Sequence, residues 1–123
     1  MLAADTASAA LGIELMDLAP GRAVCRMTVT ARMVNGHGLC HGGYVFLLAD
    51  TAFACACNTH GPVTVAAAAE ITFVAPAREG DVLTATAAER TRFGRSGVYD
   101  TTVRDAGDRV VAEFRGHSKQ LRS

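Results

Sequence analysis

The feature that most constrains the fold is an apolar segment, residues 44–58, that has the spacing of a helix but no polar face. Val45, Leu48, Ala49 and Ala52 recur on one side, and the opposite side is also apolar. A helix that is hydrophobic all round is buried on all sides, so the rest of the chain is expected to wrap around it. Residues 61–62, Gly-Pro, are expected to stop it.

Asp50 is the only charged residue in this segment. A carboxylate in apolar surroundings is costly unless it is paired or used. The alternative is a surface aspartate that faces solvent through a gap in the sheet, which apolar neighbours on every side disfavour. We therefore interpret Asp50 as a buried acid or base with a functional role.

Alternating apolar and polar residues predict β-strands on both sides of the helix. One long helix placed after two strands and before four more predicts an α+β fold, in which a curved antiparallel sheet of five to six strands wraps the helix. A long exposed edge of such a sheet predicts a homodimer formed through sheet edges. The predicted strands are 13–18, 23–30, 63–75, 82–92, 97–105 and 109–120, and the Ala-rich residues 2–10 predict a short N-terminal helix.

Size and charge limit the possible functions. A chain of 123 residues is expected to form a single domain, residues 1–123. The formal net charge is zero, which predicts no general attraction to nucleic acid or membranes, and no apolar run has the length of a membrane span. The four cysteines form no C-x-x-C motif and predict reduced thiols in the cytoplasm.

The start of the helix predicts an oxyanion-binding site. Residues 39–41 contain no Ser, Thr, Asp or Asn cap, and Gly42 and Gly43 have no side chains to cover their N–H groups. A carbonyl oxygen could approach these groups and be stabilised as charge develops on it. Asn35 could add a side-chain donor, and His41 could orient the loop or the ligand. The alternatives are a tight, closely packed glycine turn and purely structural roles for Asn35 and His41.

The spacing of these groups raises a geometric question. Asp50 follows Gly43 by seven residues, which is about 10 Å along a helix. One carbonyl cannot easily contact both groups on the same chain. Either the substrate is extended, or the glycines of one subunit face Asp50 of another.

The segment from Asn35 to Ala54 resembles the signature of hotdog-fold acyl-CoA thioesterases of the phenylacetic acid degradation (PaaI) type, and residues 97–100 and 111–116 support the resemblance. It implies hydrolysis of an acyl-CoA, including aromatic phenylacetyl-type substrates, to the free acid and coenzyme A. It also implies a cytoplasmic homotetramer. No separate cofactor or metal is expected, because coenzyme A is part of the substrate.

The resemblance also implies roles for individual residues. Asp50 would act as general base on water or as nucleophile, and the N–H of Gly42 or Gly43 would polarise the thioester carbonyl. Asn35 and His41 would position the thioester, with Asn35 on the carbonyl side.

Two further groups of residues follow from the resemblance. Related enzymes often place Ser or Thr near the attacking water, on the strand after the helix; here that position is Ala66, which leaves Thr51 or Thr64 as substitutes. Beside this, Arg90, Arg92 and Arg95 form a cationic cluster suited to phosphates, with Lys119 as a weaker candidate. The alternative is a solvated turn with ordinary surface arginines, which the residues alone favour. The implied coenzyme A-binding residues are Phe73, Arg92, Gly94, Arg95, Ser96 and Gly97.

Three other interpretations compete. Cys40 beside His41 could be a cysteine nucleophile with its base, although adjacent residues in a turn rarely form such a pair. His37, Cys40 and His41 could bind a metal, although their spacing is not a standard zinc pattern. A non-catalytic acyl-CoA sensor is the third interpretation, but no basic DNA-binding segment is present.

Overall fold

A computed structural model describes residues 4–121, which form six antiparallel strands around one long helix. The strands are ordered β1-β2-β4-β5-β6-β3 in a single sheet. This confirms the α+β prediction with six strands. The elements are α1 (Thr6–Ala10), β1 (Glu14–Ala19), β2 (Arg22–Thr28), α2 (Gly42–Cys57), β3 (Thr64–Phe73), β4 (Val82–Phe93), β5 (Ser96–Arg104) and β6 (Val110–Gln120), with 3-10 turns at Ala31–Met33 and Asn58–His60.

The predicted N-terminal helix is shorter than residues 2–10. Residues 2 and 3 lie outside the described residues, and α1 is a single turn capped by Asp5, whose carboxylate accepts a hydrogen bond from the N–H of Ser8. Among residues 4–121, even the 16-residue α2 is too short to cross a membrane. All four cysteines are free thiols.

One face of α2 packs against the sheet through small residues. Ala49, Ala52 and Ala56 are 0% exposed, and such short side chains allow the helix to approach the strands closely. The ring of Phe53 occupies the space beside Gly116 of β6, where an added Cβ would lie 2.8 Å from the ring. The sheet face of the helix is therefore fully packed within one protomer.

The remaining surface of α2 is only partly covered. Leu47, Asp50 and Ala54 are half-buried, and Gly43 is exposed. These four residues are three or four positions apart and so lie along one face of the helix, here named the α2 stripe. The prediction that the chain buries this helix on every side is therefore only partly met by a single protomer.

Strand β3 is one of the two edge strands of the sheet; the other, the shorter β1, is also exposed and carries apolar residues. Strand β3 pairs with β6 on one side and has no partner strand on the other. Apolar and polar residues alternate along it, but nearly all of them are exposed in the protomer. Val65 is 41% exposed and Phe73 is 54% exposed. A long apolar edge with unpaired backbone groups favours pairing with another strand.

Candidate active site

The loop before α2 fixes the orientation of the Asn35 amide. Its Oδ1 accepts hydrogen bonds from the N–H of His37 at 2.8 Å and of Leu39 at 3.1 Å. Because both partners are backbone donors, the atom between them is the amide oxygen. The NH₂ group of Asn35 is therefore the end that can donate to a ligand.

The start of α2 presents two unpaired donors. His41 occupies the N-cap position without a side-chain capping bond, and its own N–H donates to the Met33 carbonyl at 2.8 Å. Within residues 4–121, no group accepts a hydrogen bond from the N–H of Gly42 or Gly43. The positive end of the helix dipole lies at the same place. This is the arrangement that an oxyanion site needs.

The two glycines have different surroundings. A Cβ on Gly42 would lie 2.7 Å from Cζ of Phe73, so the missing side chain allows the Phe73 ring to lie against the helix start. A Cβ on Gly43 would have no atom within 4 Å. Packing within the protomer therefore explains why residue 42 is a glycine. The space at Gly43 is open, so a group from outside the protomer can occupy it.

A cavity of about 390 Å³ adjoins the helix start. Asn35, Gly42 and Phe73 line it, together with Cys40. Three residues with different predicted roles thus share one cavity: Asn35 in thioester positioning, Gly42 in carbonyl polarisation and Phe73 in coenzyme A binding. We refer to it as the Phe73 cavity.

Asp50 lies on the α2 stripe with Gly43, two helical turns further along. The described residues provide no hydrogen-bond partner for its carboxylate, and burial is the main cause that raises its pKa above the ordinary aspartate value. The charge of Asp5, at the start of α1, raises the pKa further. A carboxylate with a raised pKa is a stronger base, which suits proton abstraction from water.

The two threonines suggested as water-positioning groups already have hydrogen bonds inside the fold. The Thr51 hydroxyl donates to the Leu47 carbonyl at 2.8 Å and lies 3.0 Å from the Ser8 hydroxyl, with the residue 4% exposed. The Thr64 hydroxyl donates to the Pro62 carbonyl at 2.9 Å, with the residue 7% exposed. These contacts do not support the predicted role of Thr51 or its alternative, because neither hydroxyl is available to a ligand in the protomer.

The predicted coenzyme A residues are separated in one protomer. Phe73 pairs with Ala112 of β6, whereas Ser96 pairs with Lys119, seven residues further along the same strand. Seven residues correspond to about 23 Å in a strand. A single protomer therefore does not bring the 92–97 segment to the Phe73 cavity.

The 92–97 segment is the hairpin between β4 and β5. Arg92 and Arg95 are exposed, and within residues 4–121 neither forms an ion pair, whereas Arg90 pairs with Asp100 at 3.4 Å. Gly94 has φ 58° and makes the tight turn possible. Two positive side chains at the tip remain available for an anionic ligand.

Gly97 has a packing explanation. It is buried, and an added Cβ would lie 2.9 Å from both the Ser118 hydroxyl and the Tyr99 ring. This close approach accounts for the glycine without a ligand, so its predicted contact with coenzyme A is not supported in the protomer. Ser96, beside it, is half-buried.

Cys40 lacks the features of an activated nucleophile. Its thiol donates weakly to the His41 carbonyl at 3.5 Å. Burial, with the charge of Asp81, raises the pKa of the thiol, whereas a nucleophilic cysteine needs a lowered pKa. Across residues 4–121 there is also no group of three His, Cys, Asp or Glu side chains placed to hold a metal.

Sequence reasoning missed two contacts that shape the site. Phe73 covers Gly42 from a strand 31 positions away, and Ser8 contacts Thr51 across 43 positions. No local pattern marks either pair. The sequence shows only a serine in an Ala-rich segment and does not indicate that its hydroxyl is buried.

Comparison with known proteins gives consistent results. A family model described as "Thioesterase superfamily" matches residues 37–112. Acyl-coenzyme A thioesterase PaaI of Escherichia coli (strain K12) is 49% identical over 117 residues, covering 95% of this chain and 84% of that protein. Acyl-coenzyme A thioesterase 13 of Homo sapiens is 31% identical over 113 residues, covering 89% of this chain and 79% of that protein.

The structural comparison agrees over the whole chain. The structure of the E. coli PaaI protein from the phenylacetic acid degradation operon superimposes with a TM-score of 0.98 and 47% sequence identity. The match covers 100% of this chain and 89% of that chain. The helix wrapped by six strands is therefore the hotdog fold that the resemblance implies.

Proposed function

This chain belongs to the thioesterase superfamily and is an acyl-CoA thioesterase of the PaaI type, and on that premise we propose which residues perform its reaction and on which substrate. The unpaired N–H groups of Gly42 and Gly43, with the half-buried Asp50 carboxylate on the same stripe as Gly43, carry the proposal. The substrate is an acyl-CoA with a compact, phenylacetyl-type acyl group, as the operon of the E. coli relative suggests.

The reaction is hydrolysis of the thioester. The carbonyl oxygen accepts hydrogen bonds from the glycine N–H groups, and the Asn35 NH₂ group adds a donor on the carbonyl side. Asp50 removes a proton from water as the water attacks the carbonyl carbon. The carbon–sulfur bond then breaks, and the leaving thiolate of coenzyme A takes that proton from the Asp50 carboxyl group, which regenerates the base. Direct attack by Asp50, through a mixed anhydride that water then hydrolyses, is the alternative. His41, exposed at the N-cap position, orients the bound thioester.

Two copies of the chain are needed to complete this site. If β3 pairs antiparallel with β3 of a second copy, the Thr64 end of the partner lies opposite Phe73. Val65, near the Thr64 end, pairs with Lys119 of β6, and Lys119 in turn pairs with Ser96 of the β4–β5 hairpin. The hairpin therefore lies at the same height along the sheet as the Thr64 end of β3. The pairing thus brings the second copy's hairpin towards the Phe73 cavity, and it places two α2 stripes across from each other.

The exposed edge of β3 and the half-buried α2 stripe both support this homodimer. Their apolar residues are uncovered in one protomer and would be buried together in the pair. Two such dimers form the homotetramer that we propose for the cytoplasmic enzyme. The active site requires only the dimer.

A lysine at Ala69 tests the dimer and the shared site together. Ala69 is exposed near the middle of β3, so a two-fold axis places both copies of the new lysine close together. We expect Ala69→Lys to produce monomers and to lose thioesterase activity in parallel, because like charges facing each other across strands repel. Light scattering after gel filtration and a thiol-release assay measure the two effects.

Ala19→Lys is the matched control. Ala19 is exposed at the end of β1, at the opposite edge of the sheet from β3, and this variant should keep both the assembly and the activity. A monomeric Ala69→Lys protein with full activity would show that the site is complete in one protomer.

The arginines of the hairpin are expected to bind phosphate groups. Replacing both Arg92 and Arg95 by Gln removes two positive charges from exposed positions and should raise KM about tenfold or more with kcat nearly unchanged. Arg26→Gln is a control at a partly exposed arginine of β2 that pairs with Glu14. Initial rates over a range of acyl-CoA concentrations separate the two constants, and an unchanged KM would remove these residues from the site.

The function itself is tested with phenylacetyl-CoA and a reagent that detects free thiol. Release of coenzyme A at a rate proportional to enzyme concentration is the expected result. Tight binding of acyl-CoA without release of thiol would instead make the chain a non-catalytic acyl-CoA-binding protein.

A further inference from the structure

A second cavity lies on the other flank of the helix start. It has a volume of about 540 Å³ and lies between the end of α1, the 3-10 turn Ala31–Met33 and Tyr44. Ala9, Ala10, Leu11 and Met33 provide apolar walls. None of the residues that form the Phe73 cavity lines it. We refer to it as the Tyr44 cavity.

The Tyr44 cavity is next to the proposed reaction centre. Tyr44 follows Gly43 directly and shares a helix face with Thr51, because the two are seven residues apart. Thr51 contacts the Ser8 hydroxyl at 3.0 Å, and Ser8 is 0% exposed, so α1 is held against this face of α2. The face of α2 that contacts α1 is therefore next to the α2 stripe on the same helix.

The two cavities match the two sides of a thioester. A carbonyl held at the Gly42 and Gly43 N–H groups carries sulfur on one side and the acyl group on the other. The Phe73 cavity, which is lined by Asn35 and by residues of and after β3, is on the sheet side of these N–H groups. The Tyr44 cavity is on the α1 side, so the two substituents can leave the carbonyl in different directions.

We propose that the Tyr44 cavity receives the acyl group and selects compact apolar groups, preferably those with an aromatic ring. The proposal rests on the thioesterase function above. The walls are apolar apart from Thr30 and Arg32, and the tyrosine ring offers a face on which an aromatic ring can pack. Small ligand sites typically combine such walls with a few polar groups.

Filling the cavity tests this assignment. Ala10 is an exposed alanine at the end of α1, so Ala10→Phe can place a ring in the cavity without disturbing the core. We expect kcat/KM for phenylacetyl-CoA, relative to acetyl-CoA, to fall about tenfold or more, because pocket contacts of this size change selectivity by about 10- to 200-fold. Tyr44→Leu should lower the preference for phenylacetyl-CoA over hexanoyl-CoA by removing the ring but keeping an apolar wall.

Ala7→Phe is the matched control, since Ala7 is an exposed alanine of the same helix that does not line the cavity. It should leave the ratio unchanged, and thermal unfolding should show that all three variants are folded. If Ala10→Phe changes the hydrolysis of both esters equally, or of neither, the acyl group lies elsewhere and this proposal is overturned, while the thioesterase function stands. If the unmodified protein hydrolyses none of the esters, both proposals fail.

Discussion

Replacing Asp50 by Asn should lower kcat by about a hundred- to ten-thousandfold, the range expected when a general base is removed. Asn has nearly the same shape but cannot accept a proton from water. Because Asp50 lies on a partly exposed stripe and has no hydrogen-bond partner among the described residues, the fold should tolerate the change. The thiol-release assay with saturating phenylacetyl-CoA measures the loss.

The same substitution should make the protein more stable at neutral pH. Burial and the Asp5 charge raise the pKa of Asp50 in the folded state. A carboxyl group of this kind leaves stability unaffected below its unfolded pKa, about 3.9, and lowers stability as pH rises through its folded pKa. Asp50→Asn should therefore melt at a higher temperature than the unmodified protein at pH 7, and the difference should disappear near pH 3.

The pH profile of the unmodified enzyme gives an independent check. As a base, Asp50 must be ionised, so kcat/KM should fall as pH drops through its raised pKa. Asp17→Asn, at an exposed aspartate of β1 that pairs with Arg22, should leave kcat unchanged. Near-normal turnover in Asp50→Asn would rule out both the general-base and the nucleophile mechanisms.

Replacing Gly43 by Ala should lower kcat without weakening the fold. The new methyl group would occupy the open space in front of the helix start, where we place the thioester carbonyl. Loss of one oxyanion donor typically costs about 2.7–4 kcal/mol of barrier, or about a hundred- to thousandfold in kcat. The fold should be unaffected or up to about 1 kcal/mol more stable, because Ala favours a helix over Gly.

Gly43 gives a clearer test than Gly42. A Cβ at Gly43 has no atom within 4 Å, whereas one at Gly42 would displace the Phe73 ring at 2.7 Å, so an effect at Gly42 would mix two causes. Gly107→Ala, at an exposed turn glycine whose Cβ would make only an ordinary 3.4 Å contact with Asp105, is the control for a general effect of glycine replacement. Light scattering should show that Gly43→Ala remains assembled. Full activity in that assembled variant would argue against an oxyanion site at this helix start.

Much of the fold follows from local patterns in the sequence. The apolar segment at 44–58 predicts α2, and the alternation at 23–30 predicts a strand whose Ala23, Cys25 and Met27 are buried against that helix. These signals are strong because side-chain periodicity directly reflects which face is buried. The uncapped glycines and the isolated aspartate are also recognised from local sequence, because they depend only on residue type and helical spacing.

Residue type and spacing therefore predict the α+β class, the helix start with its free N–H groups and the single carboxylate two turns away. Which of these groups meet depends on the packing of distant segments. That packing places Phe73 over Gly42, engages the Thr51 hydroxyl with Ser8, and separates the 92–97 hairpin from the Phe73 cavity along the sheet. The physical reason is that such contacts join positions far apart in the chain, and their geometry depends on strand register and packing rather than on any local pattern.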